Sequence, residues 1–292
     1  MTLDQLRVFV AVADRGHLTR AADALALTPA AVSAAIRALE RRYDVQLFDR
    51  VGRGIVLTAP GAAFLEQARA TLANAQATEL ALQEMSGTGR GRVRVHASQT
   101  IASYWLPQRL IAFRQRYPAL ELALTIGNTS GVAQGVNEGG ADLGLVEGDV
   151  DGASLDVTQV ATDRLFVVVA PSHAWADGRR LGTADLVRSS WISRESGSGT
   201  RSVFEAALRA GGVDAATLDV VLTLPSNEAV RVAVEHSACA AVLSERVAAP
   251  AIEAGRLVRA GFALPPRSFN LLRHRERYRT RAAEALVALL VD

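Results

Sequence analysis

Near the start of the chain, Thr28, Ser33 and Arg37 are spaced so that their side chains could act together. Thr28 precedes Pro29, and that pair is a helix start. The hydroxyl accepts from a backbone N–H of the first turn, and proline at the first helical position lacks only an N–H that would have no partner there. Val32, Ile36 and Leu39 follow at spacings of four and three, which predicts one buried stripe. Ser33 and Arg37 then share the outward face. A short helix backed by an apolar neighbour, with hydroxyl and guanidinium groups near its start, is equipped to read base edges in a DNA major groove. An ordinary helical hairpin in a core would share the stripe. Further on, two short apolar runs surround Gly52-Arg53-Gly54 and predict a two-stranded wing. Arg50 and Arg53 project from it, where arginine can meet a phosphate or enter a narrow minor groove. A solvated charged hairpin is the plainer alternative.

A second chemistry recurs later. Ser98-Gln99-Thr100, Gly127-Asn128-Thr129-Ser130, Glu195-Ser196-Gly197-Ser198-Gly199-Thr200-Arg201 and Pro225-Ser226-Asn227-Glu228 are runs of small polar residues before predicted helices. A helix N-terminus presents unpaired N–H groups and a partial positive charge, a seat for an anion. Serine and threonine also cap helices in any α/β protein, but four such junctions, two per half, favour a ligand site. The Gly-Ser-Gly-Thr-Arg run lacks the lysine and spacing of a nucleotide loop. Ser198 is not in a nucleophile elbow, because Ser196 occupies the first glycine position. No base–nucleophile pair is present, so the chain does not read as an enzyme. His96 within a strand and His236 at a helix end read as structural or capping, and Arg273–Arg281, with His274, as a solvated surface rather than a DNA patch.

The elements that position these groups can be traced along the chain. Leu3, Leu6, Phe9, Val10 and Ala13 predict an amphipathic helix closing a three-helix core with Leu25, Val32 and Leu39. Residues 58–86 predict a long helix, with Thr58 as cap, Pro60 in its first turn and Gly87-Thr88-Gly89 as its stop. Phe64, Leu65, Ala68, Leu72, Ala75, Leu82 and Met85 form an apolar seam, in part at heptad spacing, which Glu79 interrupts. Over roughly 40 Å, at about 1.5 Å per residue, this seam would be wet in a monomer, so it predicts a dimerising linker; packing on its own chain is the alternative. From residue 90 strands alternate with helices: strands at 92–97, 120–126 and 143–146, with helices near 104–117 and 130–138. This βαβαβ order predicts a parallel sheet. Strands at 165–170, 191–193, 220–222 and 239–243 build a second lobe, with the chain crossing near 162 and returning near 265 to a strand at 268–272 and a last helix near 280–290.

Composition sets outer bounds. The 292 residues suggest about two domains, and 49% of them are apolar, enough for real cores. No run of about 18 uncharged apolar residues is present, so no membrane span is expected. The N-terminus, with Asp4 and Arg7, reads as an amphipathic helix rather than a signal peptide. The single Cys239 excludes an internal disulfide, fits a reducing cytosol and reads as a buried structural thiol. No Cys/His cluster has metal spacing, and no cofactor is expected. Net charge is only +2, and all 32 residues in the lysine-plus-arginine count are arginine. Arginine suits phosphates and small oxyanions, although a composition rich in alanine, glycine and valine points to genome bias for most of them.

With these motifs in place, residues 1–60 resemble the winged helix-turn-helix of LysR-type transcriptional regulators. The matching text is Leu3-x-Gln5-Leu6-x-x-Phe9, Ala21-Ala22-x-x-Leu25, Ala31-Val32-Ser33-x-x-Ile36-x-x-Leu39-Glu40 and Leu47-Phe48-x-Arg50. Pro29 stands where the family often has glutamine, and Ala34 and Ala35 where it often has a polar residue, so the docking mode carries over better than the base contacts. The resemblance implies groove contacts from Thr28, Ser33 and Arg37 and wing contacts from Arg50 and Arg53. The α/β half is similar to the effector-binding half of the same family, itself similar to type 2 periplasmic binding proteins. Ala97 to Ile101, Gly127-Asn128-Thr129, Val146-Glu147-Gly148 and Arg194 to Arg201 look most like the CysL/CbbR-like branch, which governs sulfur assimilation and carbon fixation through small anionic effectors. Sulfite, sulfate or a small phosphorylated or carboxylated metabolite follows from that resemblance. It implies a cleft lined by Ser98, Thr100, Asn128, Thr129, Ser196, Ser198 and Thr200, with Arg201 supplying charge.

The expected organisation is an all-α winged helix-turn-helix at 1–58, a dimerising linker helix at 59–88, and an α/β two-lobed effector domain. Lobe I takes 89–162 with 265–292 returning to it, and lobe II takes 163–264. The expected function is a cytoplasmic, homotetrameric regulator, dimerised through the linker helix, whose grip on promoter DNA a small anion alters. The rival is a solute-binding or enzymatic α/β domain carrying a helical protein-interaction module.

Overall fold

The first helix is fixed by its cap. Thr2 Oγ1 accepts from Gln5 N at 3.2 Å and Gln5 Oε1 accepts from Thr2 N at 3.0 Å, a reciprocal capping box that starts α1 (Leu3–Arg15). In the computed structural model, which describes residues 1–52, 54–85, 91–150 and 152–291, the chain divides into two compact units. One is Met1–Gly89 with Asn137–Gly140; the other is Arg90–Val136 with Ala141–Asp292.

In the first unit, α2 (Leu18–Leu25) and α3 (Pro29–Tyr43) are bent by 107° from one another. Thr28 Oγ1 accepts from Ala31 N at 3.2 Å, the cap the Thr-Pro pair predicts. Leu6, Phe9 and Val12 of α1 bury against Ala21 and Ala22 of α2 and against Val32, Ile36 and Leu39 of α3. The two alanines let the helices approach closely. The wing follows as β1 (Phe48–Val51) and β2 (Gly54–Leu57), antiparallel, with Phe48 opposite Leu57. Thr58 caps α4 (Ala59–Met85), accepting from Gly61 N at 3.0 Å. A side chain at Gly61 would run into the Leu47 carbonyl, so this turn seats directly on the start of the wing. Phe9 ties these pieces together: its ring centroid lies 5.2 Å from Phe48 and 4.9 Å from Phe64.

That packing corrects the expectation for the α4 seam. Ala68 is buried and Phe64, Leu65 and Leu72 are half-buried against the helix-turn-helix core, so the near half of the seam is covered by its own chain. α1 offers it an apolar face, and burial there costs no association entropy. Only toward the far end do Leu82 and Met85 stand out, 63% and 77% exposed. The Gly87-Thr88-Gly89 stop lies outside the described residues.

The second unit opens with β3 (Arg92–Ser98), a π-helical turn at Ile101–Trp105 and α5 (Leu106–Arg116), then β4 (Glu121–Gly127), α6 (Thr129–Asn137), β5 (Leu143–Glu147) and β6 (Leu155–Asp163). The chain continues through β7 (Leu165–Val169), α7 (Thr183–Leu186), β8 (Ser190–Arg194), α8 (Gly199–Ala210), β9 (Asp219–Leu224), α9 (Asn227–Glu235), β10 (Ala241–Ser244), α10 (Glu245–Glu253) and β11 (Val258–Ala263). It ends with β12 (Arg267–His274) and α11 (Arg281–Val291). The first lobe holds a five-stranded sheet in the order β4-β3-β5-β12-β6, over a core that includes Val93, Phe113, Leu143, Phe269 and Leu286. The second lobe holds β10-β7-β11 and the pair β8-β9, bridged where Trp191 meets Ala240.

The parallel sheet predicted from the βαβαβ order is realised in β4-β3-β5. β12 runs antiparallel to both β5 and β6, and β7 is antiparallel to β10 and β11. β12 meets β5 and β6 only after the chain has traversed the second lobe, whereas β7, β10 and β11 pair within that lobe. β6 and β11 were not expected from the sequence. The alternating burial of β6, with polar Asp156, Thr158, Gln159 and Thr162, hides an edge strand. Only Arg164 separates β6 from β7, and Leu264-Pro265-Pro266 separates β11 from β12, so the two crossings are side by side: Arg267 pairs with Asp163 in the ladder. Cys239 is half-buried rather than buried, packed against the apolar cluster that includes Val230 and Val234.

Phe9 anchors the wing and α4 on α1, so Phe9→Ala should destabilise the first unit by about 3–5 kcal/mol. Urea unfolding followed by circular dichroism checks this; a loss below about 1 kcal/mol would mean that the three rings do not hold the unit together.

Candidate functional site

On the first unit, α3 carries the predicted contact residues on its solvent side. Thr28 and Arg37 are exposed; Ser33 is half-buried. Arg50 is exposed on β1, opposite Ile55. Arg53 lies outside the described residues. The wing is pinned by Ile55 N donating to the Gly16 carbonyl at 3.1 Å. This places His17, Thr19 and Arg50 around one groove of about 340 Å³, floored by Gly52, Gly54 and Ile55. His17 caps α2 through Nδ1, which accepts from Thr19 N at 3.2 Å. The sequence reading missed His17 and Thr19, whose signal is a helix start beside a basic hairpin. The arrangement presents a guanidinium and a helix N-terminus together, a pair of groups that suits a phosphate.

On the second unit the two lobes meet at Arg267, just after the second crossing. Its side chain is 1% exposed. Nε and Nη2 donate to Asp163 Oδ2 at 2.9 and 2.7 Å, and Nη1 donates to Glu147 Oε2 at 3.1 Å and Thr200 Oγ1 at 2.9 Å. Nη2 also reaches Thr100 Oγ1 at 3.4 Å. Asp163 Oδ1 accepts from Ser244 Oγ at 2.8 Å and faces Arg246 Nε at 3.7 Å. One guanidinium thus joins the end of β5, the strand crossing, the turn after β3 and the start of α8.

Around it the two lobes repeat one pattern, Ser-x-Thr. In the first lobe Thr100 Oγ1 accepts from Arg267 and from Asn227 Nδ2 at 3.1 Å. In the second lobe Thr200 Oγ1 accepts from Arg267. Each threonine oxygen is engaged by N–H donors, which leaves its own hydrogen to give. Two residues earlier, the Ser98 and Ser198 hydroxyls are buried, and neither has a hydrogen-bond partner among the described residues. A buried hydroxyl with no partner costs about 1–3 kcal/mol and calls for one. Ser198 occupies the N-cap of α8 without capping it through its side chain.

The remaining predicted residues divide. Asn128 caps α6, accepting from Gly131 N at 2.9 Å, and donates Nδ2 to Glu195 Oε1 at 3.2 Å and the Ser196 carbonyl at 3.3 Å. Thr129 Oγ1 donates to the Glu147 carbonyl at 3.3 Å. Ser196 is exposed, and its carbonyl takes the Asn128 contact. Arg201 is salt-bridged to Glu205 at 2.6 Å and donates to the Arg194 carbonyl at 3.4 Å, so its charge is already matched within the second lobe. Ser226 caps α9, accepting from Ala229 N at 3.3 Å.

Gln99, Glu195, Asn227 and Glu228 lie in the predicted junction runs, but spacing did not show that they close the two lobes on each other, nor that Tyr104 and Arg194 take part. Gln99 donates Nε2 to the Pro225 carbonyl at 2.7 Å and accepts from Asn227 N at 2.9 Å. Tyr104 OH donates to Glu228 Oε1 at 3.0 Å; burial and this carboxylate push the phenol up to about 12. Arg194 is buried, donates to Asn227 Oδ1 and pairs with Glu195 Oε2 at 2.7 Å. Burial alone would raise the Glu195 carboxyl, but Arg194, with Asn128, holds it below its ordinary value. Among the described residues no group of three His, Cys, Asp or Glu is placed to hold a metal ion, and no single helix is long and apolar enough to cross a membrane.

Comparison with known proteins follows this division. A family model described as "Bacterial regulatory helix-turn-helix protein, lysR family" matches residues 3–62, and one described as "LysR substrate binding domain" matches residues 86–292. A probable RuBisCO transcriptional regulator of Trichormus variabilis is 33% identical over 289 residues, covering 97% of this chain and 86% of the relative. The structure of full-length CbnR complexed with its target DNA matches with a TM-score of 0.66 at 22% identity, covering 99% of each chain. The regulatory domain of Synechocystis CcmR in complex with 2-PG matches with a TM-score of 0.63 at 23% identity, covering 69% of this chain and 96% of that one. At such identities the structural likenesses speak to the fold.

Removing Arg267 should leave Asp163 and Glu147 buried without their shared cation. Arg267→Met is expected to cost about 3–5 kcal/mol in denaturant unfolding. Arg267→Lys should not restore it, because one ammonium cannot fork to four oxygen partners. Stability within about 1 kcal/mol of the parent in either variant would contradict this account.

Proposed function

Because this chain belongs to the LysR family of bacterial transcriptional regulators, DNA-binding proteins with an effector-binding domain, we propose that a small oxyanion held between its Ser-x-Thr corners alters its grip on promoter DNA. The observation that carries the reading is the pair of buried, unpartnered hydroxyls at Ser98 and Ser198, each two residues from a threonine polarised by Arg267. Two threonine hydroxyls that share Arg267, one from each lobe, with a buried serine hydroxyl two residues before each, suit a compact acceptor with several oxygens. Asn128 and Thr129, held to Glu195 and to the Glu147 carbonyl, and the exposed Ser196 and neighbouring Arg201 are assigned to the walls of the same site. The 2-PG bound to the CcmR domain is a ligand of this class in the same fold. The rival assignment of the front helices to protein interaction loses its support to the helix-turn-helix match over residues 3–62.

DNA is read by α3, with Thr28, Ser33 and Arg37 toward the major groove and Arg50 on the wing toward phosphate or the minor groove; Arg53, outside the described residues, is assigned the same role from its sequence alone. The exposed far end of α4, with Leu82 and Met85, pairs with a second copy, and two such dimers form the regulator. A two-fold dimer would read a pseudo-palindromic site. The anion acts by favouring one arrangement of the lobes, so its effect is bounded by its difference in affinity for the two arrangements. Such a regulator catalyses no step and works in the cytoplasm, with the DNA.

Two measurements test these assignments. On a duplex enriched from random DNA by the full-length protein, Arg50→Ala should reduce the salt slope of binding by about 1, and Arg37→Ala should weaken binding about ten-fold or more. Unchanged duplex affinity at low salt in both would remove α3 and the wing from the interface. In thermal-shift titrations with phosphate and 2-phosphoglycolate, Ser98→Ala and Ser198→Ala should each weaken the response about ten-fold, the loss of one hydrogen bond to an anion. A full response in both variants would move the ligand elsewhere.

A further inference from the structure

A third buried polar atom at the same junction lacks a partner, and it is of the opposite kind. Glu147 is 3% exposed. Its Oε2 takes Arg267 Nη1 at 3.1 Å, while its Oε1 has no hydrogen-bond partner among the described residues. Its place is set by the fold. β5 runs parallel to β3 with Ala97 opposite Leu145, so Glu147 and Ser98 fall at neighbouring strand ends. A side-chain carbon at Gly199 would lie 2.5 Å from the Glu147 carbonyl and 3.0 Å from its Cβ, so the start of α8, with Ser198, abuts the same residue. Glu147, Thr100 and Thr200 all share the Arg267 guanidinium.

An oxyanion seated on the four hydroxyls would therefore meet a carboxylate oxygen as well. Two acceptors facing each other repel unless a hydrogen lies between them. Resting on the oxyanion reading above, we propose that Glu147 is a specificity-determining residue: it accepts a hydrogen bond from the ligand and so selects anions that carry a hydroxyl hydrogen. The class includes hydrogenphosphate and 2-hydroxy carboxylates. It excludes sulfate, which has no such hydrogen at neutral pH, and simple carboxylates of the same size. Hydrogen-bonding sites of this type discriminate strongly, because the analogue lacking the hydrogen leaves a buried acceptor unpaired. Arg267 contributes by holding Oε2, which turns Oε1 away from the only guanidinium that contacts Glu147 among the described residues.

The test uses the full-length protein and two matched anion pairs, phosphate against sulfate and glycolate against acetate, by calorimetry at neutral pH. The hydroxyl-bearing member of at least one pair should bind ten-fold or more tightly, and the pair that discriminates identifies whether an acid phosphate or a hydroxy acid is the better ligand. Glu147→Gln, whose amide can donate, should bring the discriminating ratio to within about three-fold. Ser98→Ala should weaken every anion and leave the ratio alone. Equal binding within both pairs by the parent protein overturns the proposal whether or not Glu147→Gln folds. So does a Glu147→Gln protein that keeps the parent ratio. If those anions bind equally and Ser98→Ala still weakens them, the oxyanion site stands and only the role of Glu147 falls. If none binds the parent, both fall.

Discussion

A guanidinium taken out of water must find acceptors for its N–H groups and a countercharge nearby, because an isolated buried charge is far costlier than any single contact can offset. Arg267 meets that demand only when residues distant in sequence arrive together: Glu147 from the end of β5, Asp163 from the end of β6, and Thr100 and Thr200 from the two lobes. Asp163 in turn needs Ser244, at the end of β10, and Arg246 beyond it. The closed relation of the two lobes is therefore written into the satisfaction of one buried ion cluster. A shift of either lobe by an ångström or two would lengthen several charge-assisted hydrogen bonds at once.

The same cluster explains why the proposed ligand site is polar yet poorly satisfied. Arg267 and Asn227 occupy the acceptor lone pairs of Thr100, and Arg267 one of the two on Thr200, which orients the hydroxyl hydrogens elsewhere. Hydrogen bonds in such chains polarise one another, so a hydroxyl that accepts from a cation donates more strongly. Ser98 and Ser198 Oγ make no hydrogen bond among the described residues. Structural polar clusters are normally complete, so the two donors and one acceptor without a partner among the described residues are what the ligand proposal rests on. The Gln99, Asn227 and Tyr104 contacts hold the lobes in register around the cluster without consuming those groups.

What the sequence revealed and what it hid follow from the range of the interactions. The cap at Thr28, the Val32–Ile36–Leu39 stripe and the wing depend on residues within a few positions of each other, so spacing alone carries them. The placement of Ser98, Thr100, Ser198 and Thr200 where strands give way to helices was legible for the same reason. Arg267 was not legible. It sits among many arginines, and its importance comes from partners 67 to 167 residues away. Arg201 drew attention as a charge near the Gly-Ser-Gly-Thr run, but Glu205 one turn on neutralises it, an ordinary helix pair. The edge strand β6 escaped because its exposed positions mix Val157 with Gln159 and Thr162, and only Leu155 and Asp163 at its ends are buried.

The α4 seam shows how one apolar pattern can serve two purposes. A heptad-like spacing predicts a helix–helix contact without saying with which helix. Here Phe64, Leu65, Ala68 and Leu72 belong to the first unit's own core, and Phe64 shares Phe9 with the wing residue Phe48. The near half of α4 is thereby rigidly coupled to α3 through α1, since packed cores resist continuous deformation. The helix runs 27 residues from Ala59 to Met85, about 40 Å at 1.5 Å per residue. In the dimer proposed here, contacts made at the far end, around Leu82 and Met85, would set the separation and tilt of two reading helices that cannot adjust independently. A small change in how the far ends meet then becomes a change in half-site spacing on the duplex, and half-site spacing is what a two-fold reader of DNA cannot relax.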